Sequence, residues 1–197
     1  GLRGGRPVEE HQEDAGDREV YEQEEAETTQ AEGVADLHRM ALHLHRMEVV
    51  EHARDFLVLV DYAHTPDALS CVLEAANEIS TGQVWLLFGC GGDRDAGKRA
   101  QMGSTAERGA HRVVVTSDNP RNEPPQQIID EILSGMSKSP AHVCPEREAA
   151  IEWVLGQAAP GDVVVIAGKG HETYQEIAGR RFEFDDRAIA RKYLEAS

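Results

Sequence analysis

From Phe56 onward, short runs of apolar and β-branched residues alternate with longer stretches whose apolar residues recur every three or four positions. The runs FLVLVDY, QVWLLFG, HRVVVTS and DVVVIAG are apolar on both faces, as parallel strands covered on two sides require. Between them, TPDALSCVLEAANEIS, GKRAQMGSTAERGA, PPQQIIDEILSGM and EREAAIEWVLGQAA read as helices, the first with Thr65 as N-cap and Pro66 at its first helical position. AHVC adds a short strand. The alternation predicts an α/β fold, a doubly wound and mostly parallel sheet with right-handed crossovers. TYQEI and RRFEF flank an Ala-Gly turn and read as a hairpin that places an antiparallel strand near one edge; Asp185 or Asp186 then caps a terminal helix.

Upstream the pattern changes. Residues 1–53 hold 14 acidic against 5 basic side chains, over half of the formal charge of -16, and few aliphatic residues. Such a segment cannot offset the entropy of ordering itself, so a disordered or loosely helical segment is expected over 1–53, followed by a folded domain over 54–197. Within it, Val34, Leu37, Ala41, Leu44 and Glu48 follow helical spacing, flanked by Met40 and Met47, and predict an amphipathic helix over 34–52. His38, His45 and His52 lie seven apart, which separates neighbours by ~10 Å along a helix, so no shared metal site is expected.

With 197 residues and 40% hydrophobic side chains, the chain can bury the core of one domain with sequence to spare. The acidic balance argues against nucleic-acid or anionic-membrane partners and favours small molecules or proteins. Cys71, Cys90 and Cys144 are widely spaced, which suits a reducing cytoplasm better than a disulfide scaffold or zinc ribbon. No apolar run approaches the ~18 to 20 residues of a membrane helix, and no signal peptide is recognisable, so a soluble, unexported monomer is expected.

Ligands of open α/β sheets bind at the carboxyl ends of the strands. The segments that follow the strands here are DYAHTPD, GCGGDRDAGKR, TSDNPRNEPP and AGKGHETYQ, all polar and two of them glycine-bearing. Gly92–Arg99 spells G-x-x-x-x-G-K, but Arg99 stands where a phosphate-binding loop needs Ser or Thr for magnesium, and Asp93 and Asp95 would repel phosphates. The dinucleotide pattern G-x-G-x-x-G fails as well, because Arg94 occupies its last position. What suits the loop is a tight turn projecting Arg94 for a carboxylate; the plainer reading pairs Arg94 with Asp93 or Asp95. In DNPR, Asp118 and Asn119 are expected to satisfy local backbone beside Pro120 while Arg121 points outward. In GKGHE, Gly168 and Gly170 allow close backbone approach and Glu172 supplies a negative charge. Two guanidiniums and a carboxylate fit an amino-acid ligand. His64 reads equally as a base, a phosphate contact or a residue pinning its turn, whereas His171 reads as structural. Lys98 and Lys169 either reach phosphate oxygens or are solvated.

DYAHTPDAL, FGCGGDRDAGKR, DNPR and AGKGHE, in this order between about Asp55 and Leu194, resemble the C-terminal domain of the Mur ligases, in the branch that adds meso-diaminopimelate. The resemblance implies a Rossmann-like sheet with one antiparallel strand and a role in peptidoglycan synthesis. It also implies that Arg94, Asp118, Asn119, Pro120, Arg121, Gly168 and Glu172 surround diaminopimelate, while Asp61 and His64 face nucleotide. The family reaction transfers a phosphoryl group from ATP, with Mg2+, to the substrate carboxylate of UDP-MurNAc-L-Ala-D-Glu; the amine of diaminopimelate then attacks. The ATPase and UDP-binding domains of that family have no counterpart in this sequence. The expectation is a ligase domain detached from its ATPase by truncation, gene splitting or gene-model error, or working with a separate ATPase chain. Alone, it should bind diaminopimelate weakly and not hydrolyse ATP. A folylpolyglutamate-type ligase is disfavoured by DNPR and GKGHE, and a non-catalytic module with a vestigial pocket is the alternative of another class.

Overall fold

Residues 47–196 are described by the structure, a computed structural model. Its main sheet has six strands: β1 (Glu48–Val49), β2 (Leu57–Asp61), β3 (Val84–Phe88), β4 (Arg112–Thr116), β5 (His142–Cys144) and β6 (Val163–Ala167), in the spatial order β1-β2-β6-β3-β4-β5. All neighbours pair in parallel except β1 with β2. The helices are α1 (Pro66–Ile79), α2 (Gly97–Gly109), α3 (Pro125–Leu133), α4 (Arg147–Gln157) and α5 (Asp186–Ala196). The four apolar runs, the short strand at His142–Cys144 and the five helices thus form where the sequence places them. Thr65 caps α1, its hydroxyl accepting from Ala68 N at 3.3 Å, and Asp185 caps α5 by accepting from Arg187 N at 2.9 Å.

Strand alternation divides the core into two layers. Leu59, Leu86, Val115 and Val165 face Leu69, Met102, Ile129 and their neighbours on α1 to α3; Val58, Leu87, Val114 and Val164 face Ile151, Val154 and Leu194 on α4 and α5. Each fully buried aliphatic side chain contributes about 2 kcal/mol of transfer free energy. The chain leaves β5 through α4 on the opposite face and inserts β6 between β2 and β3. The loop after β6 is therefore flanked by those after β2 and β3, at the reversal of strand order where such sheets take ligands.

Three expectations are corrected. The helix over 34–52 does not reach its C-terminal end: Glu48–Val49 is a strand, and residues 34–46 of that helix lie outside the described residues. An extended chain sends Met47 into one core layer and Val50 into the other, which a helix with a single apolar stripe cannot do. For the same reason the folded unit begins upstream of residue 54, since Val50 N donates to Val58 O at 2.9 Å. Third, the hairpin β7 (Tyr174–Ile177) and β8 (Arg180–Glu183) forms as expected but as its own two-stranded sheet. Its strands carry arginine and glutamine or glutamate on both faces, beside Ile177 and Phe182 on one, and do not suit a sheet covered by helices on both sides; the antiparallel strand of the main sheet is β1.

One ion pair lies at the carboxyl edge of this sheet. Arg147 and Asp186 have fully buried side chains, with Arg147 Nη2 2.8 Å from Asp186 Oδ2 and Nε 2.8 Å from Oδ1. The same guanidinium donates to Ser117 O at 3.1 Å and Ala167 O at 3.0 Å. Burial works against the charge of Arg147, but Asp186 outweighs it and holds the guanidinium above its ordinary range. Replacing Arg147 by Ala should leave a buried carboxylate without its cation and cost about 3–5 kcal/mol in denaturant unfolding, whereas Arg147→Met with Asp186→Leu should cost much less. Equal losses for the two would contradict this account.

Candidate functional site

The loops after β2, β3, β4 and β6 form one rim, and the contacts between them are mostly polar. Gly92 N donates to Asn119 O at 2.9 Å, Gly168 N to Asp61 O at 3.1 Å, and Lys98 Nζ to His64 O at 2.7 Å. Gly92 has to be glycine, because a Cβ there would overlap the Pro120 carbonyl. Gly168 has φ +112, a conformation that L side chains rarely adopt, and this brings its amide onto the end of β2.

Arg94 is exposed and donates to the Asp93 carbonyl at 3.1 Å; no ion pair links it to Asp93 or Asp95. Asp93 instead supports the turn, accepting from Asn122 Nδ2 at 2.7 Å while its own amide donates to Glu123. Arg121 departs from expectation in not pointing freely outward. With φ 51 it folds back, Nη1 donating to Gly92 O at 2.8 Å and Nε lying 3.5 Å from Glu176. Its backbone is clamped by the hairpin, through Arg121 N to Glu176 O at 2.9 Å and Ala178 N to Arg121 O at 2.6 Å. Both side chains nevertheless pass Gly91, where a Cβ would lie 2.9 Å from Arg121 Nη1 and 3.6 Å from Arg94 Cγ.

Asp118, Asn119, Gly168 and Glu172 form a second group, built around Lys169. Asp118 and Asn119 do not serve their local backbone, as expected from turn chemistry, but are buried and reach across to other segments. Asn119 Nδ2 donates to Glu172 Oε2 at 2.8 Å, and its Oδ1 accepts from Lys169 Nζ at 3.1 Å and Glu176 N at 2.9 Å. Asp118 Oδ1 is 3.6 Å from Lys169 Nζ and has no hydrogen bond. Burial pushes the Asp118 carboxyl above its ordinary range, opposed by the Arg147 and Lys169 cations. Glu172 Oε1 has no hydrogen-bond partner among the described residues. Lys169 is 0% exposed, so it is neither solvated nor a phosphate contact.

Asp61 and His64 are not brought into either group. Asp61 Oδ1 accepts from Ala63 N at 2.6 Å, and His64 Nδ1 bonds the Tyr62 carbonyl at 2.8 Å. A carbonyl only accepts, so this bond makes Nδ1 the protonated nitrogen and leaves Nε2 with the lone pair in the neutral ring. The His64 and His171 rings flank Tyr62, with centroids 4.7 and 5.6 Å away. His52 packs on Phe56, and its ring accepts from Arg54 N at 3.2 Å.

Arg99 explains the near-miss phosphate loop. It is 1% exposed and bonds both oxygens of Glu123, at 2.8 and 2.9 Å, Glu131 at 2.8 Å and Gly91 O at 3.2 Å. With Lys98 engaged at His64 O and the Gly97 amide on Asp95 Oδ1, residues 92–99 do not fit the phosphates and magnesium of ATP. Glu123, Glu176 and Arg147 escaped the reading of the sequence, as did the burial of Arg99 and Lys169. For Arg99 a signal existed, since it shares the buried face of α2 with Met102 and Ala106, and a charge on such a face needs a partner. An open polar concavity lined by Glu74, Asn77, Arg108 and His111 holds none of the rim groups.

The sequence profile of the family described as Mur ligase, glutamate ligase domain, matches residues 45–170. The chain belongs to this family. It is 53% identical over 153 residues to the UDP-N-acetylmuramoyl-L-alanyl-D-glutamate–2,6-diaminopimelate ligase of Chromobacterium violaceum, covering 77% of this chain and 31% of that protein. Against the protein of the same name from Geobacillus kaustophilus, identity is 49% over 148 residues, 74% of this chain and 30% of that protein. The chain thus spans about a third of the length of these relatives. A solved structure of a ligase of that name superposes with TM-score 0.73 and 49% identity, over 77% of this chain and 31% of the other. A single-domain structure from Haemophilus ducreyi, 18% identical with TM-score 0.51, shares the fold over 77% of this chain and 98% of its own length. No helix among the described residues is long and apolar enough to cross a membrane.

The Glu123 carboxyl is held down to about 2 by the Arg99 guanidinium and the Asp93 amide. Because its folded value lies below its ordinary 4.5, the stability it contributes is present above pH 4.5 and is lost as pH falls toward 2. Arg99→Ser, which completes the phosphate-loop consensus, should remove that acid dependence and confer no ATP binding. It should also cost about 2 kcal/mol, less than for a fully buried pair because both glutamates reach solvent. Thermal melts at several pH values and ATP titration check all three outcomes.

Proposed function

We propose that this domain receives meso-diaminopimelate for an ATP-dependent amide-bond-forming ligase that extends UDP-MurNAc-L-Ala-D-Glu in cytoplasmic peptidoglycan synthesis, and so serves cell-wall growth, cell shape and division. The observation that carries the reading is the placement of the Arg121 guanidinium and the Arg94 side chain beside Gly91, and of a Glu172 carboxylate tied to the DNPR loop. Diaminopimelate differs from lysine by a distal carboxylate. Arg94 and Arg121 offer planar N–H pairs for that group. Glu172 Oε1 accepts from the adjacent ammonium, with Asp118, Asn119, Pro120 and Gly168 forming the wall. The ligand is then held by one end, and its other amine is left to attack an activated carboxyl.

ATP and Mg2+ supply that activation when bound, and since residues 92–99 do not fit them, the reading assigns them, with the UDP-sugar peptide, to other parts of the ligase or to a separate chain. Asp61 and His64, on the β2 flank, are the groups of this chain assigned to the nucleotide side. Relatives that carry the diaminopimelate ligase name at 53% and 49% identity support the reading.

Calorimetric titration of the full chain with meso-diaminopimelate, lysine and ATP tests it. Heat is expected with diaminopimelate, and little with lysine or ATP. Equal or absent heats for the two amino acids would overturn the assignment. Arg121→Ala should weaken diaminopimelate binding roughly tenfold or more, the worth of a charge-assisted hydrogen bond, while leaving the response to lysine unchanged.

A further inference from the structure

Lys169 lies between the two glycines of the GKG turn, 0% exposed, within the group of Asp118, Asn119 and Glu172. A buried ammonium is costly unless every proton finds an acceptor. Here Nζ donates to Tyr174 O at 2.6 Å, Asn119 Oδ1 at 3.1 Å and Glu172 Oε2 at 3.4 Å, with Asp118 Oδ1 3.6 Å away. These acceptors come from the DNPR loop, the turn after β6 and the first residue of the hairpin. The rings of Tyr174 and Phe184, with centroids 5.7 and 5.9 Å from Nζ, flank the ammonium.

We infer that Lys169 is a positioning residue for amino-acid recognition: it fixes the Glu172 carboxylate and the Asn119 amide in one geometry, beside the Asp118 carboxylate, for a ligand ammonium. The inference rests on the ligand class proposed above. Two observations favour this role over simple packing. Glu172 is bound through Oε2 alone, by Lys169 and Asn119, which leaves Oε1 as the oxygen available to a ligand. Asp118 keeps a buried oxygen with no hydrogen bond, beside an ammonium whose three donors are engaged elsewhere. Removing the cation would place two carboxylates in a buried site with Arg147, itself paired to Asp186, as the remaining nearby positive charge.

The test is a double-mutant cycle on the full chain, read by calorimetric binding of meso-diaminopimelate with thermal melts alongside. Lys169→Met should weaken binding roughly tenfold or more, whereas in a Glu172→Gln background the same change should have little further effect, because the carboxylate through which Lys169 acts is already gone. A pH series gives a second readout. Binding should fail at higher pH in Lys169→Met than in the parent, because Asp118, which faces Arg147, Lys169, Glu172 and Asp186, loses a cation that favours its ionised form. Equal binding by Lys169→Met, additive losses in the cycle, or an unmoved pH profile would overturn the inference. So would unfolding of both Lys169→Met and Lys169→Gln at the titration temperature, which assigns Lys169 to the fold alone. If the parent chain does not bind diaminopimelate, the proposed function fails first, and that result precedes any variant.

Discussion

Arg147 sits where α4 begins, against the carboxyl ends of β4 and β6, and its guanidinium ties together the Ser117 carbonyl, the Ala167 carbonyl and Asp186 at the start of α5. Ser117 opens the loop that carries DNPR, and Ala167 precedes the turn that carries GKGHE. A single buried cation therefore sets the separation of the two segments that hold Asp118, Asn119 and Glu172. In a low-dielectric setting such a pair tolerates little displacement, because a partner moved away leaves a charge unsatisfied.

The rim repeats this device at two further points. Arg99 fastens Glu123 and Glu131 under the loop after β3, and Lys169 fastens Asn119, Glu172 and the hairpin. Three buried cations thus sit behind the rim that carries Arg94, Arg121 and Glu172. Segments that lack regular secondary structure acquire fixed geometry this way, since each buried charge demands its full set of partners. Arg94, exposed with a single backbone bond, is the least constrained of the three rim groups.

The hairpin belongs to the same arrangement. It is largely exposed, with Ile177 and Phe182 open to solvent, so it gains little from burial, and it is attached through the bridge between Arg121 and Ile177, the Glu176 contacts and Lys169. Arg121 reaches φ 51 because the hairpin holds its amide and carbonyl from either side. The side chain expected to point outward is turned back to Gly92 O, yet it still lies beside Gly91, which the Arg94 side chain also passes.

Sequence by itself determined the layer architecture, the strand and helix order, the cap at Thr65, the choice of Asp185 or Asp186 to cap the terminal helix, and the loops that meet at the rim. These follow from short-range periodicity and local backbone chemistry, which are written in consecutive residues. Its motifs also pointed to the family. Only the tertiary structure decided that Glu48–Val49 is a strand, that the hairpin stands apart, and that Arg99, Lys169 and Arg147 are buried tethers rather than solvated or ligand-facing charges. Whether a charge is solvated or enclosed depends on partners such as Glu123, Asn119 and Asp186, 24, 50 and 39 residues away in the chain, a separation that no local pattern records.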